Sequence, residues 1–157
     1  MSASRDFLRI NVGFIIHQTV GYSRDFPLES ASLHFAPDLD LIDISGIARV
    51  TRTAQGLLLQ VRMHATTMAE CGRCLTNFQQ SLEIDSTDLY AFTQASASES
   101  GLIVPETGKI DLEPIIREEM FLALPINPIC KPDCRGLCPI CGESLNEHPD
   151  HNHEVEA

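Results

Sequence analysis

Lysine is nearly missing from this chain of 157 residues: Lys109 and Lys131 are the only two. With nine arginines, the basic residues number 11 against 22 acidic ones, and the net charge is −11. A free-standing nucleic-acid binder lives on phosphate contacts and needs a basic patch. This composition points instead to a basic partner, such as a nucleic-acid-binding protein. Arg49, Arg52, Arg62 and Arg73 can share one side of a sheet, although solvated structural charges are the simpler reading. Also missing is any apolar run approaching the roughly 20 residues that span a bilayer. The opening "MSASRDFLRINVGFIIHQTV" does not read as a signal peptide, because "VGFII" is too short and no small-residue cleavage site follows it. The expectation is therefore a cytoplasmic protein with no membrane partner. In a reducing compartment, six cysteines favour metal or redox chemistry over structural disulfides.

An apolar fraction of 43% over 157 residues suits one globular domain, or one domain with a small appendage. "FLRINVGFII" (7–16) is rich in β-branched and aromatic residues and predicts a strand. "VGYSRDFPLES" (20–30) reads as an irregular connection. "DLIDISGIARVTRT" (40–53) offers Ile42, Ile44, Ala48 and Val50 to one buried face. "AQG" follows, with Gly56 able to take positive φ, and then "LLLQVRMHATTMAE" (57–70), so a long antiparallel hairpin is expected. "NFQQSLEIDSTDLYAF" (77–92) alternates at Phe78, Leu82, Ile84 and Tyr90, as a strand does. Residues 93–109 are small, polar and broken by Pro and Gly, and should form a mobile loop.

A helix is signalled over 111–124. Asp111 can cap it, and Glu113 and Pro114 suit its first turn. Leu112, Ile115, Ile116, Met120 and Ala123 recur at helical spacing, and Pro125 ends it. The expected fold is α+β: mainly antiparallel sheet (1–128), one covering helix, and a Cys/His module (129–157) packed on the 71–74 knuckle. The tail beyond 142, with Glu143, Glu147, Asp150, Glu154 and Glu156, is acidic and should be loosely held except where a ligand fixes it.

The chemistry is concentrated in "ICKPDCRGLCPICGESLNEHPDHNH" (129–153), which holds four of the six cysteines and three of the six histidines. "CPICG" (138–142) has the form of a zinc knuckle: two cysteines three apart on a tight turn aim both sulfurs at one ion. A second C-x-x-C, "CGRC" (71–74), lies at the end of the long hairpin, with Cys130 and Cys134 in between. One tetrahedral Zn2+ needs four ligands and two need eight, so six thiols and three imidazoles (His148, His151, His153) fit two sites with one histidine spare. The division we favour gives Cys71, Cys74, Cys130 and Cys134 to a first site. Cys138, Cys141, His151 and His153 then form a local second site, where His148 can replace one imidazole. The rival division pairs the two knuckles, Cys71/Cys74 with Cys138/Cys141, as in zinc ribbons. His17, His34 and His64 have no cysteine near them in sequence and read as ordinary residues.

A site of four thiolates is closed, and its excess negative charge weakens zinc as a Lewis acid, so its role should be structural. Metal bridging across the 55 residues between Cys74 and Cys130 would close a long loop. Arg73, Lys131 and Arg135 flank the ligands and can soften the thiolate charge. No βαβ pattern surrounds either pair, which argues against a thioredoxin-like role.

Three segments, "AECGRCLTNFQQSLEID", "GKIDLEPIIREEMFLALPINPIC" and "CRGLCPICGESLN", resemble the YceD family, named for large ribosomal RNA subunit accumulation, over roughly residues 40–147. Family members often end in a C-x-C pair, and His151, Asn152 and His153 stand in that place here. The resemblance implies a bacterial cytoplasmic factor, with plastid relatives, that supports accumulation of large-subunit ribosomal RNA. It implies no known catalytic activity and no small-molecule substrate. The partner to expect is a ribosomal protein or an RNA-processing factor, with direct contact to ribosomal RNA as the alternative. A zinc-dependent hydrolase is the remaining reading, and no carboxylate stands out as its base.

Overall fold

The structure, a computed structural model, describes residues 5–153 apart from residues 98 and 100. A single 3-10 turn (Asp6–Leu8) leads into a short strand β1 (Arg9–Asn11) and one helical turn α1 (Gly13–Ile16). Four long strands follow: β2 (Ser23–Phe35), β3 (Leu39–Arg52), β4 (Gly56–Glu70) and β5 (Asn77–Ala91). They pair consecutively as an antiparallel meander. A three-residue strand β6 (Lys109–Asp111) then pairs antiparallel with β1, and α2 (Glu113–Ala123) closes the body. The architecture is mostly antiparallel sheet with few helices, as the patterning of 40–92 predicts.

The core lies between one face of the sheet and a cover made from α2, α1 and the β1–β6 ribbon. Leu28, Phe35, Leu41, Val50, Leu59, Val61 and Leu82 face it from the sheet, while Ile116 and Met120 of α2 come from above, all within 1% of full burial. Removing this apolar area from water is the main force holding the sheet to its cover. Ile115 and Ala123, at the margins of the helical stripe, are only partly buried. Asp111 is not the cap: it ends β6, the cap position falls on Leu112 without a side-chain cap bond, and Asp111 Oδ1 accepts from the Glu113 N–H at 3.0 Å as the chain enters the helix.

Several segments depart from the sequence-based expectation. Residues 7–16 are not one strand. Leu8, Ile10 and Val12 are buried in alternation, but Asn11 Oδ1 accepts from the Gly13 N–H at 3.1 Å, which turns the chain into α1. Residues 23–30, expected to be irregular, belong to the outer strand β2. Its pairing with β3 is continuous from Ser23↔Thr51 to Ser30↔Ile44, and the strand alone carries a weak signal because few of its side chains are buried. Pro27 is tolerated there because an outer strand has one side without ladder partners, and it blunts that edge against further pairing.

In β3 the buried phase switches. Leu39 and Leu41 point inward, then Asp43 takes φ 51°, the register with β4 slips between Ile42 and Ser45, and Ile44, Ala48 and Val50 point inward. This bulge leaves Ile42 half-buried instead of in the core. Gly56 does not adopt positive φ. It is glycine because β5 passes so close that a Cβ would meet the Tyr90 carbonyl. The described part of 93–109 is pinned to the body by Ala91 N–H to Leu102 C=O (3.0 Å) and Val104 N–H to Ala91 C=O (2.9 Å). Residues 98 and 100 of that loop, and Glu154 and Glu156 of the tail, lie outside the described residues.

Of the four arginines, Arg49 and Arg62 share a face of the sheet, where they line one groove with Ile47 and Gln60; Arg52 and Arg73 lie elsewhere. Arg49 is held by Asp25 through two hydrogen bonds of 2.7 and 3.0 Å, and Arg62 lies 3.2 Å from Asp85. The hydrogen bond from Arg49 holds the Asp25 carboxyl below its ordinary range. Arg52 instead stacks 4.3 Å above the Phe92 ring, and Arg73 sits in the knuckle at the far end of the hairpin.

Candidate metal centres

The β4–β5 hairpin does not end in an ordinary tight turn. Its tip is "CGRCLT" (71–76), closed by the Cys71 N–H on Thr76 C=O (2.9 Å) and the Leu75 N–H on Cys71 C=O (2.9 Å). Leu75 takes φ 61°, a conformation unfavourable for leucine, so that Cys71 and Cys74 can face the same way. The chain leaving α2 returns to this tip, where the Gly72 N–H donates to Pro128 C=O at 2.7 Å. That docking delivers Cys130 and Cys134.

Cys71 Sγ lies 3.8 Å from Cys134 Sγ, and Cys74 Sγ lies 3.6 Å from Cys130 Sγ. All four sulfurs lie within 4.8 Å of one another. Zinc–sulfur bonds of about 2.3 Å put the corners of a tetrahedron about 3.8 Å apart, so the spacing fits a four-thiolate ion. Cys71, Cys74 and Cys134 are buried and pack with Phe78, Ile129 and Leu137 as a small second core.

The second cluster is local. Cys141 Sγ is 3.2 Å from His151 Nε2 and 3.3 Å from His153 Nε2, and the two imidazole nitrogens are 3.1 Å apart. Cys138 Sγ completes the group within 4.8 Å. Two thiolates and two imidazoles also suit tetrahedral zinc. This cluster is the more open one: Cys138 is buried, Cys141 is exposed and both histidines are half-buried. His148 is not among its members; its Nε2 lies 3.0 Å from Glu143 Oε1. The two C-x-x-C pairs therefore lie in different clusters, not in the shared ribbon of the rival division. His34 is 2.6 Å from Asp40 and His64 is 2.8 Å from Ser81, both apart from the cysteines.

The thiols are prepared unequally. Burial resists ionising Cys71, yet backbone N–H groups of Cys74, Cys130 and Arg73 outweigh it and bring the thiol down to about 6. Cys74 is lowered by the hydroxyl and N–H of Thr76. Cys138 is brought to about 6 by the N–H groups of Cys141 and Ile140. Cys130 is pushed up to about 12, first by burial and then by its sulfur neighbours. Ionising Cys130 is therefore opposed by burial and by the sulfurs around it, and a divalent ion at the centre would offset that cost.

Arg73 acts through its backbone N–H, 3.5 Å from Cys71 Sγ, while its guanidinium donates to Cys134 C=O at 3.0 Å. The guanidinium of Arg135 donates to Pro149 C=O at 3.1 Å. Neither guanidinium makes a hydrogen bond to sulfur. Thr76 and Asn146, whose polar groups do reach the thiols, were not singled out by sequence reasoning, because the signal is their place beside the ligands in space.

Two expected outcomes follow for the knuckles. Gly142 takes φ 78° with open space around it, so Gly142→Ala adds backbone strain of about 1 kcal/mol without a clash. That should weaken metal binding at the second cluster about fivefold and leave the first unchanged, read by chelator competition. In metal-free, reduced protein, the depressed thiols of Cys71 and Cys138 contribute stability that is present above the ordinary value and lost as pH falls through about 6. Cys130, being raised, contributes in the opposite sense, so stability should also decline above the ordinary thiol value of about 8.5. Thermal melting of the metal-free chain against pH should therefore rise from about 6 to a maximum near the ordinary thiol value and fall above it.

Fold and site define a small antiparallel β protein that carries two Cys/His clusters compatible with metal. The match of residues 59–157 to the model of the large ribosomal RNA subunit accumulation protein YceD covers most of the chain, which belongs to that family. Uncharacterised proteins of Mycobacterium bovis and Mycobacterium tuberculosis are each 36% identical to it over 147 residues, covering 90% of this chain and 68% of theirs. A Mycobacterium leprae protein, also uncharacterised, is 34% identical over 110 residues, 68% of this chain and 51% of its own. No solved structure matches. Among the described residues, no helix is long and apolar enough to cross a membrane.

Proposed function

We propose that the chain is a non-enzymatic, zinc-binding factor of the bacterial cytoplasm that supports accumulation of large-subunit ribosomal RNA through a basic protein partner. The family match supports the ribosomal role. The single observation that carries the metal reading is the tetrahedral spacing of four sulfurs drawn from segments 55 residues apart. Two zinc ions are proposed, on Cys71, Cys74, Cys130 and Cys134, and on Cys138, Cys141, His151 and His153. Each group supplies four protein ligands, which fills a tetrahedral ion and suits a structural role rather than Lewis-acid catalysis. The metal then anchors the 129–153 segment to the hairpin tip and keeps a surface in shape.

The partner is a ribosomal protein or a processing factor, attracted by a net charge of −11. Direct RNA binding is less well supported, since Arg49 and Arg62 are both matched by carboxylates. Affinity capture with the tagged, zinc-loaded chain at moderate salt tests this. Recovery of a large-subunit protein that persists after ribonuclease treatment is expected. Recovery of bare ribosomal RNA with a steep loss on adding salt would favour the RNA-binding alternative.

A further inference from the structure

The "GESLN" sequence after the second knuckle contributes no ligand to either cluster, yet one of its side chains reaches the other centre. Asn146 is half-buried, and both ends of its amide are engaged. Its Oδ1 accepts from the Arg135 N–H at 2.9 Å, and its Nδ2 donates to Cys134 Sγ at 3.3 Å. The orientation is fixed by chemistry: a backbone N–H only donates, so the oxygen must face Arg135 and the NH2 must face the sulfur.

Asn146 lies between Cys141 and His151, inside the loop that the second cluster closes. The loop is laid against residues 135–137 by the Leu145 N–H on Gly136 C=O (2.9 Å) and by the Leu137–Ser144 bridge. It runs on to the second cluster through the His148 N–H on Ser144 C=O and the His151 N–H on His148 C=O, both 3.0 Å.

We infer that Asn146 is a positioning residue that couples the two metal centres, so that filling the second strengthens binding at the first. This rests on the zinc reading above. An ion held by four thiolates carries excess negative charge, and N–H donors to sulfur disperse it. Cys71 receives the Arg73 N–H and Cys74 receives Thr76, both from the same hairpin tip. Cys134 receives its donor from a loop that the other ion ties down. With the second centre empty, Cys138, Cys141, His151 and His153 are released from one another, the loop gains freedom and the donor spends less time on Cys134. By reciprocity, filling the first centre strengthens the second by the same factor.

The test measures zinc affinity at the four-cysteine centre of the full chain by chelator competition. Asn146→Ala and Asn146→Asp should each weaken it about tenfold, within the range for donors behind metal ligands. Asp keeps the acceptor for Arg135 but loses the donor, so wild-type affinity in Asn146→Asp would reduce the residue to a loop anchor and overturn the proposal. Cys138→Ser/Cys141→Ser should also weaken the first centre, and should add little in the Asn146→Ala background. Full additivity of the two changes would overturn the coupling. Wild-type protein provides a check that needs no substitution. The cadmium-113 resonance of the four-sulfur centre should move when a second equivalent of cadmium fills the Cys/His centre, and a stationary resonance would overturn the proposal. Failure of the wild type to bind any zinc would instead overturn the underlying metal reading, and the coupling with it.

Discussion

Replacing Cys71 and Cys74 together by serine should lower the melting temperature of the zinc-loaded protein by about 20 °C or more. Structural zinc contributes on the order of 10 kcal/mol of binding free energy that exists only in the folded chain. For a chain of this size each kcal/mol corresponds to roughly 2–4 °C. The loss should fall mainly on the hairpin tip and the 129–153 segment, because these meet at the small core of Cys71, Cys74 and Cys134 with Phe78, Ile129 and Leu137. The main core of sheet and α2 is separate from it and should keep its β-sheet signal at room temperature. Calorimetry with zinc content measured on the same samples checks this. An unchanged melting temperature in protein that has lost the ion would contradict it.

The second large effect is expected in α2. Ile116 and Met120 are both fully buried and lie one turn apart, so they form the seam between helix and sheet. Truncating a buried Ile or Met to Ala costs about 2–5 kcal/mol each, and the pair together approaches the whole stability of an ordinary domain. The double variant Ile116→Ala/Met120→Ala should therefore be largely unfolded without metal and should fold when zinc is added, with a midpoint that depends on zinc concentration. The coupling is geometric: α2 sets where the chain starts back towards the hairpin tip, and thus where Cys130 arrives. Circular dichroism during a zinc titration reads this directly. Full folding without zinc would show that the helix seam is worth less than its burial indicates.

The candidate ligands were legible because a C-x-x-C on a tight turn is a local device, and the spacing of 138–142 and 71–74 displays it. Which pairs meet was open to two divisions, because Cys130 reaches Cys74 only after two strands, a loop and a helix have placed it. The β3–β4 hairpin and β5 were legible from alternation, and α2 from its stripe and its Pro114 start.

The outer strand β2 was not, since its order comes from pairing with β3 and its own side chains are mostly exposed. The N-terminal segment misled for the opposite reason: its β-branched residues suit a strand, but a side-chain hydrogen bond at Asn11 breaks the run. The bulge at Asp43 defeats any fixed alternation along β3. Asn146 carries no signal of its own in the sequence, because its significance depends on a sulfur 12 positions away that only the fold brings near.

The most direct measurement is the zinc count of the intact, reduced chain by native mass spectrometry, made alongside its Cys138→Ser/Cys141→Ser variant. Two ions per chain in the first and one in the second, with the remaining ion lost on further replacing Cys71 and Cys74, is the expected result. A wild-type chain that carries no metal, is fully folded and melts at the same temperature with and without chelator would contradict it.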